Sequence, residues 1–200
     1  IADATVQLRD GETVLYTFDN HTTLDQYNLT FNTAELGVGF YVLTVYAKQE
    51  NYTASLTSIT ITISERDTNM TIFLDRSLGT SIEIPYGELL NITAIYEDTD
   101  PAWGFIADAT VQLRDGDTIL HGFDNHTTLD QYNLTINTAE LGVGFHALTV
   151  YAKHENRSAS LVTITITVEE RETYFEIFLN GEDKTEEKST SLAIGELLNV

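Results

Sequence analysis

Residues 1–74 return as residues 106–179 without a gap, at a spacing of 105, and 56 of the 74 aligned pairs are identical. A near-copy must fold as its original does, so this one feature makes the chain a repeat of a single unit. After Leu74 and Leu179 the copies part, with "DRSLGTS" against the longer "NGEDKTEEKS". They rejoin at "GELLNI" (87–92) and "GELLNV" (195–200). A length difference of that kind belongs in a loop.

Inside one period the apolar residues recur every second position. "ATVQLR" sets Ala109, Val111 and Leu113 against Thr110, Gln112 and Arg114. "QYNLTIN" sets Tyr132, Leu134 and Ile136 against Asn133 and Thr135, and "TITITV" alternates Ile164, Ile166 and Val168 with threonines. This alternation predicts half-buried antiparallel strands. Branched and ring side chains suit the pleated surface. Asp-Gly at 10–11 and 115–116 predicts tight hairpin turns, where Gly accepts the positive φ. Helical periodicity is limited to one turn at "TAELG" (138–142).

Eight short strands are expected in the full period, beginning at "MTIFL", "SIEI", "ELLNITAIY" and "ATVQLR". They continue with "TILHGF", "QYNLTIN", "HALTVYA" and "ASLVTITITV". About 100 residues of such strands predict an all-β fold of tandem immunoglobulin-like β-sandwich domains, antiparallel and without significant helix. The expected division is 1–67 as the C-terminal part of one repeat, 68–170 as a complete repeat and 171–200 as the N-terminal strands of the next. Neither partial unit is expected to cover its apolar face unaided. Two completions are open: the chain is a window on a longer tandem array, or residues 171–200 of one copy fill the gap in residues 1–67 of another. Head-to-tail donation would propagate rather than close.

Thirty-one acidic residues against 10 basic ones give a formal charge of −21. Phosphate backbones are repelled by such a surface, so no nucleic-acid partner is expected. No apolar run approaches the length of a membrane span in this segment. Cysteine is absent, which removes thiolate metal sites, disulfides and cysteine nucleophiles together.

The motif that stands furthest above chance is Asn-x-Ser/Thr, at Asn20, Asn28, Asn51, Asn69, Asn91, Asn125, Asn133 and Asn156. Asn51-Tyr-Thr becomes Asn156-Arg-Ser in the second copy, so the acceptor pattern survives while both neighbours change. Asn91 and Asn133 alternate with core positions and the others fall at turns or strand starts. Glycan acceptors need that exposure. The acidic stretch "YEDTDPAWG" (96–104) offers oxygens that suit calcium, but lacks the spacing of an EF-hand loop. The "FDNHTTLD" loops (18–25, 123–130) carry one His each, which is poor for a metal, so no cofactor is expected there. No nucleophile elbow, phosphate loop or zinc-protease helix is present, and the chain is read as no enzyme. Lys48 and Lys153 have outward parity, unsuited to buried isopeptide chemistry. The single tryptophan, Trp103, is expected to pack at an interdomain joint.

Together "YGELLNITAIYED", "IADATVQLRDG", "AELGVGFYVLTVYA" and "SITITI" resemble the tandem immunoglobulin-like repeats of archaeal cell-surface proteins, whether surface-layer-like, adhesin-like or filament chains. The run from Gly39 to Ala47 carries much of that likeness, although His146 replaces Tyr41 at the position of a tyrosine-corner hydrogen bond. The resemblance implies an extracellular or cell-surface structural module: a glycosylated filament or surface-layer repeat that partners copies of itself head-to-tail and carries covalent N-glycans. An adhesin stalk whose binding domain lies elsewhere is the alternative, and a surface enzyme using the repeats as spacer is a third.

Overall fold

A computed structural model describes residues 3–21, 23, 24, 26–173, 176, 178, 179, 182, 183 and 199. Apart from two single 3-10 turns, Thr33–Glu35 and Thr138–Glu140, the regular structure described is strand. In the first copy these are β1 (Thr5–Asp10), β2 (Thr13–Thr17), β3 (Asp19–His21), β4 (Gln26–Asn28), β5 (Gly39–Lys48) and β6 (Ser55–Ile63). Four of them form one antiparallel sheet in the order β2-β1-β5-β6, and β3 pairs with β4 as a separate hairpin.

The next stretch holds β7 (Thr68–Leu74), β8 (Ser77–Leu78), β9 (Ser81–Pro85), β10 (Leu89–Asp98) and β11 (Thr110–Asp115). It continues with β12 (Thr118–Gly122), β13 (Asp124–His126), β14 (Gln131–Asn137), β15 (Gly144–Lys153) and β16 (Ser160–Glu169). They build two sheets, β13-β14-β10-β7-β8 and β12-β11-β15-β16-β9. Alternation supplies the core between them. Ile72, Leu74, Leu90, Ile92, Ala94, Tyr96, Tyr132 and Ile136 come from the first sheet. Val111, Leu113, Leu148, Val150, Ala152, Ile164, Ile166 and Val168 come from the second. This is the immunoglobulin-like sandwich that the alternation predicts.

Three details depart from the expectation. The pairing of β9 with β16 is parallel, with Thr165 opposite Ser81 and Val168 opposite Ile84. The chain changes sheets after β8, so β7 and β9 edge different layers. The "FDNHTTLD" segments, expected as loops, contain β3 and β13, whose side chains are all exposed. Strands held by backbone pairing alone leave no apolar alternation to read. Both Asp-Gly turns appear as predicted, with Gly11 at φ +56° and Gly116 at +55°.

The two copies differ in how far one face is covered. Val150, Ala152, Ile164, Ile166, Val168 and Tyr132 are buried, whereas their equivalents Val45, Ala47, Ile59, Ile61, Ile63 and Tyr27 are only half-buried. Among the described residues, the first sheet has no counterpart of β7, β9 or β10 above it. Full burial of one such side chain is worth roughly 1.5–3 kcal/mol. The inner face of the first copy thus realises on the order of 5 kcal/mol less burial than that of the second. The strands expected of residues 171–200 fall mostly outside the described residues; among those described there, β17 (Phe178–Leu179) pairs with β18 (Glu182–Asp183).

Candidate functional site

Every asparagine of the eight sequons lies on the surface, seven exposed and Asn133 half-buried. Their backbones divide them. Asn51 and Asn156 occupy the β5–β6 and β15–β16 turns in the left-handed region, at φ +64° and +61°. Asn tolerates that conformation because its short amide can bond locally. Asn20, Asn28, Asn69, Asn91, Asn125 and Asn133 sit within strands.

Two of the strand sequons interlock, which sequence spacing did not reveal. In the β10–β14 register Asn91 stands opposite Thr135, and Thr93 opposite Asn133. The Thr135 hydroxyl donates to Asn91 Oδ1 at 2.7 Å, and the Thr93 hydroxyl donates to Asn133 Oδ1 at 2.9 Å. Each threonine therefore serves the other sequon's asparagine. Gln131 Nε2 adds a donor to Asn133 Oδ1 at 3.2 Å. The pair lines a shallow depression of about 560 Å³ on the outer face of that sheet, bordered by Phe73, Arg76, Ile95 and His126. The signal that could have found it is the matching phase of the two Asn-x-Thr triplets, once β10 and β14 are paired.

The acidic stretch 96–104 is engaged by arginines. Asp98 is 5 % exposed and receives Arg66 in two bonds, Nε to Oδ2 at 2.7 Å and Nη2 to Oδ1 at 3.1 Å. Arg66 Nη2 also lies 3.3 Å from Asp100 Oδ2, and the Asp100 amide donates to Asp98 Oδ1 at 2.9 Å. Arg157 Nε approaches Asp98 Oδ2 at 3.1 Å but is not aligned to donate. The Arg66 bonds hold the Asp98 carboxyl below its usual range, against the opposing effect of burial, and the same bonds raise Arg66.

Arg66 belongs to the four-residue connection between β6 and β7. Its amide donates to Asn156 O at 3.1 Å and its carbonyl accepts from Ser158 at 2.9 Å. The neighbouring Glu65 bonds Lys153 Nζ at 2.6 Å. The connection is therefore pinned to the sandwich that follows it. Trp103 stands beside this clamp, but is 60 % exposed rather than packed away, with Arg66 and Arg157 centred 4.6 and 5.6 Å from its ring. Among the described residues no three His, Asp or Glu side chains converge as metal ligands.

His146 resolves the tyrosine-corner position. Tyr41 OH donates to Leu36 O and, at 3.2 Å, to Gly37 O. His146 Nε2 reaches Gly142 O, the equivalent carbonyl, at 2.9 Å. A second exchange follows the same rule: Tyr16 OH bonds Glu35 at 2.6 Å, and His121 Nε2 lies 3.2 Å from Glu140.

No family model and no curated protein matches the chain. Among solved structures it is similar to protocadherin gamma B2 extracellular cadherin domains 3–6, at 17 % identity and a TM-score of 0.33, over 84 % of this chain and 40 % of that one. It is also similar to an endo-fucoidan hydrolase from glycoside hydrolase family 107, at 17 % identity and a TM-score of 0.33, over 68 % of this chain and 19 % of that one. The chain spans less than half the length of either, and likeness of this degree assigns neither a family nor an activity.

Proposed function

We propose that the chain is a stretch of structural repeats from a glycosylated extracellular filament or surface layer. In this reading 68–170 is one whole immunoglobulin-like unit, and residues 1–67 and 171–200 are parts of the units on either side of it. The observation that carries the reading is the difference in burial between equivalent side chains. Ile61 and Ile63 are half-covered, where Ile166 and Val168 are sealed by strands of the β7, β9 and β10 type. A unit of this design is finished only when a front half of the same kind docks on it, so units propagate in one direction. The front half comes from polypeptide preceding the unit or, by strand donation, from a neighbouring copy. The β9–β16 pairing is the template for that docking. The Arg66–Asp98 clamp supports a stiff joint, since it fixes the connection to the unit ahead. Glycans on Asn20, Asn28, Asn51, Asn69, Asn91, Asn125, Asn133 and Asn156 fit the surface position of all eight.

Electron cryo-microscopy of native material tests both parts. The reading requires a polymer of sandwiches in which the first sheet's inner face is covered, with sugar density on the asparagines. Isolated, unglycosylated chains with that face bare would overturn it. To separate the two sources of the front half, the 200-residue chain and its Ile61→Asp variant are compared by sedimentation: growth with concentration that Ile61→Asp abolishes supports donation, and growth or its absence that the variant leaves unchanged assigns completion to the same polypeptide.

A further inference from the structure

The two outer faces of the sandwich are unlike each other. The β13-β14-β10-β7-β8 face carries the strand sequons Asn69, Asn91, Asn125 and Asn133. The outer face of β12-β11-β15-β16-β9 carries none; its nearest, Asn156, sits in the β15–β16 turn at one end. In the first copy β1, β2, β5 and β6 are likewise free of sequons.

The interior of this second face carries no carboxylate. Cross-strand register places Arg114 beside Thr149 and Thr163, then Ala147 beside Thr165, then Phe145 beside Thr167. Ile119 flanks Arg114, and Gln112 and Leu161 flank Tyr151. Glu83 on β9 and Glu169 at the end of β16 stand at the far edge, while Asp115 closes β11 and Asp117 lies in the β11–β12 turn. The interior of the sequon-bearing face is likewise free of carboxylates apart from Glu97 near the end of β10, so what sets the second face apart is its exposed apolar side chains and its lack of sequons.

The same face is built twice. Phe145 is 70 % exposed and its equivalent Phe40 is 69 %, while Leu161, Leu56, Ile119 and Val14 are exposed as well. Arg114 lies 3.8 Å over the Tyr151 ring and bonds Gln112 Oε1 through Nε at 3.0 Å and Nη2 at 2.6 Å. Arg9 repeats this on Tyr46 and Gln7 at 3.8, 3.1 and 2.6 Å. Among the described residues neither arginine is in an ion pair, although acids outnumber bases threefold. Both guanidiniums are held flat and ready.

We propose that this face is the lateral contact between copies of this chain, sheet on sheet across a two-fold axis. A second copy carries the same charge and is repelled by acidic surfaces, and of the two faces without interior carboxylates this is the one that presents exposed apolar anchors and no sequon. The face is self-complementary in charge: a two-fold turn lays the Arg114 side of one copy over the Glu83–Glu169 side of the other. Phe145, Leu161 and Ile119 are the apolar anchors between the layers, which pack about 10 Å apart. The five strands, two of ten residues and three of five or six, offer roughly 600 Å² per copy at the usual rise and strand spacing, somewhat less than the ~800 Å² per partner of a stable dimer. One unit therefore binds weakly, and many units along a rod bind well. The absence of sequons agrees with a face kept bare, but the charge and apolar arguments hold whether or not the asparagines are modified.

Sedimentation equilibrium of the whole 200-residue chain, made without glycans, tests this. Dimers should accumulate as concentration rises towards the millimolar range, and more strongly at 0.5 M NaCl, because salt screens the general repulsion. The double variant Phe40→Glu with Phe145→Glu should weaken association at least tenfold and leave thermal unfolding unchanged, since both rings are exposed. Strand donation through β6 is tracked separately by Ile61→Asp, which should not disturb the lateral dimer. A wild-type chain that stays monomeric at these concentrations overturns the proposal. So does a Phe→Glu double variant that dimerises as the wild type does.

Discussion

Tyr41 and Tyr16 become His146 and His121 in the second copy; His146 takes up the bond that Tyr41 made to the equivalent glycine carbonyl, and His121 keeps the approach to the equivalent glutamate at 3.2 Å. The sequence exposes both exchanges, but not that the geometry absorbs them, because one atom's reach decides it. His146→Phe should lose the bond to Gly142 O and about 1 kcal/mol, read by urea denaturation, while His146→Tyr should come close to wild type. The Asp98 clamp makes a sharper test. Asp98→Asn removes a charge-assisted pair of bonds and should cost roughly 2 kcal/mol at neutral pH. The folded carboxyl titrates lower than the unfolded one, so its contribution is complete above the ordinary Asp value of about 4 and fades as pH falls through the folded value. Melting temperatures of wild type and Asp98→Asn should therefore differ at pH 7 and converge towards pH 2. A constant gap would show that the charge is not what stabilises the joint. The clamp itself was hidden from sequence reasoning, since Arg66 and Asp98 lie 32 positions apart and only the β10 register brings them together.

At the scale of elements, strands with one buried face were legible and strands without one were not. β15 and β16 alternate in burial along their length, β14 does so apart from half-buried Leu134, and all three lie within two residues of where alternation puts them. β3, β8 and β13 are short and wholly exposed, so nothing in their side chains reports the pairing. The parallel partner of β16 was equally silent, because alternation gives face and not direction. Element context also sorts the sequons. Transfer of a glycan requires Asn and its Thr to leave the ladder together, which for Asn91 and Asn133 means parting β10 from β14. The turn sequons at Asn51 and Asn156 need no such opening. An oligosaccharyltransferase acting on folded, unmodified protein should therefore modify Asn51 and Asn156 and leave Asn91 and Asn133 bare. The unfolded chain should accept at all four, with site occupancy read by peptide mass spectrometry. Equal occupancy in the folded protein would show that the interlock opens readily.

For the whole molecule, the repeat lets the chain act as its own control. Ile61 and Ile166 are the same residue in the same strand, differing in that Ile166 is sealed and Ile61 is half-covered. A carboxylate at Ile166 has no partner and no water, so Ile166→Asp should cost more than about 4 kcal/mol and unfold the sandwich. At Ile61 the new carboxylate can reach solvent, and Ile61→Asp in the lone chain should cost about 1–2 kcal/mol. Assembly changes that comparison. Once a front half covers the first sheet, Ile61 acquires the surroundings of Ile166, and the two substitutions should become equally damaging. Hydrogen exchange on β6, measured in the lone chain and in native polymer, would report the same change without mutation. Protection of β6 in the polymer should rise to that of β16. If it remains low there, the inner face stays open in the assembly, and the units do not extend by completing one another.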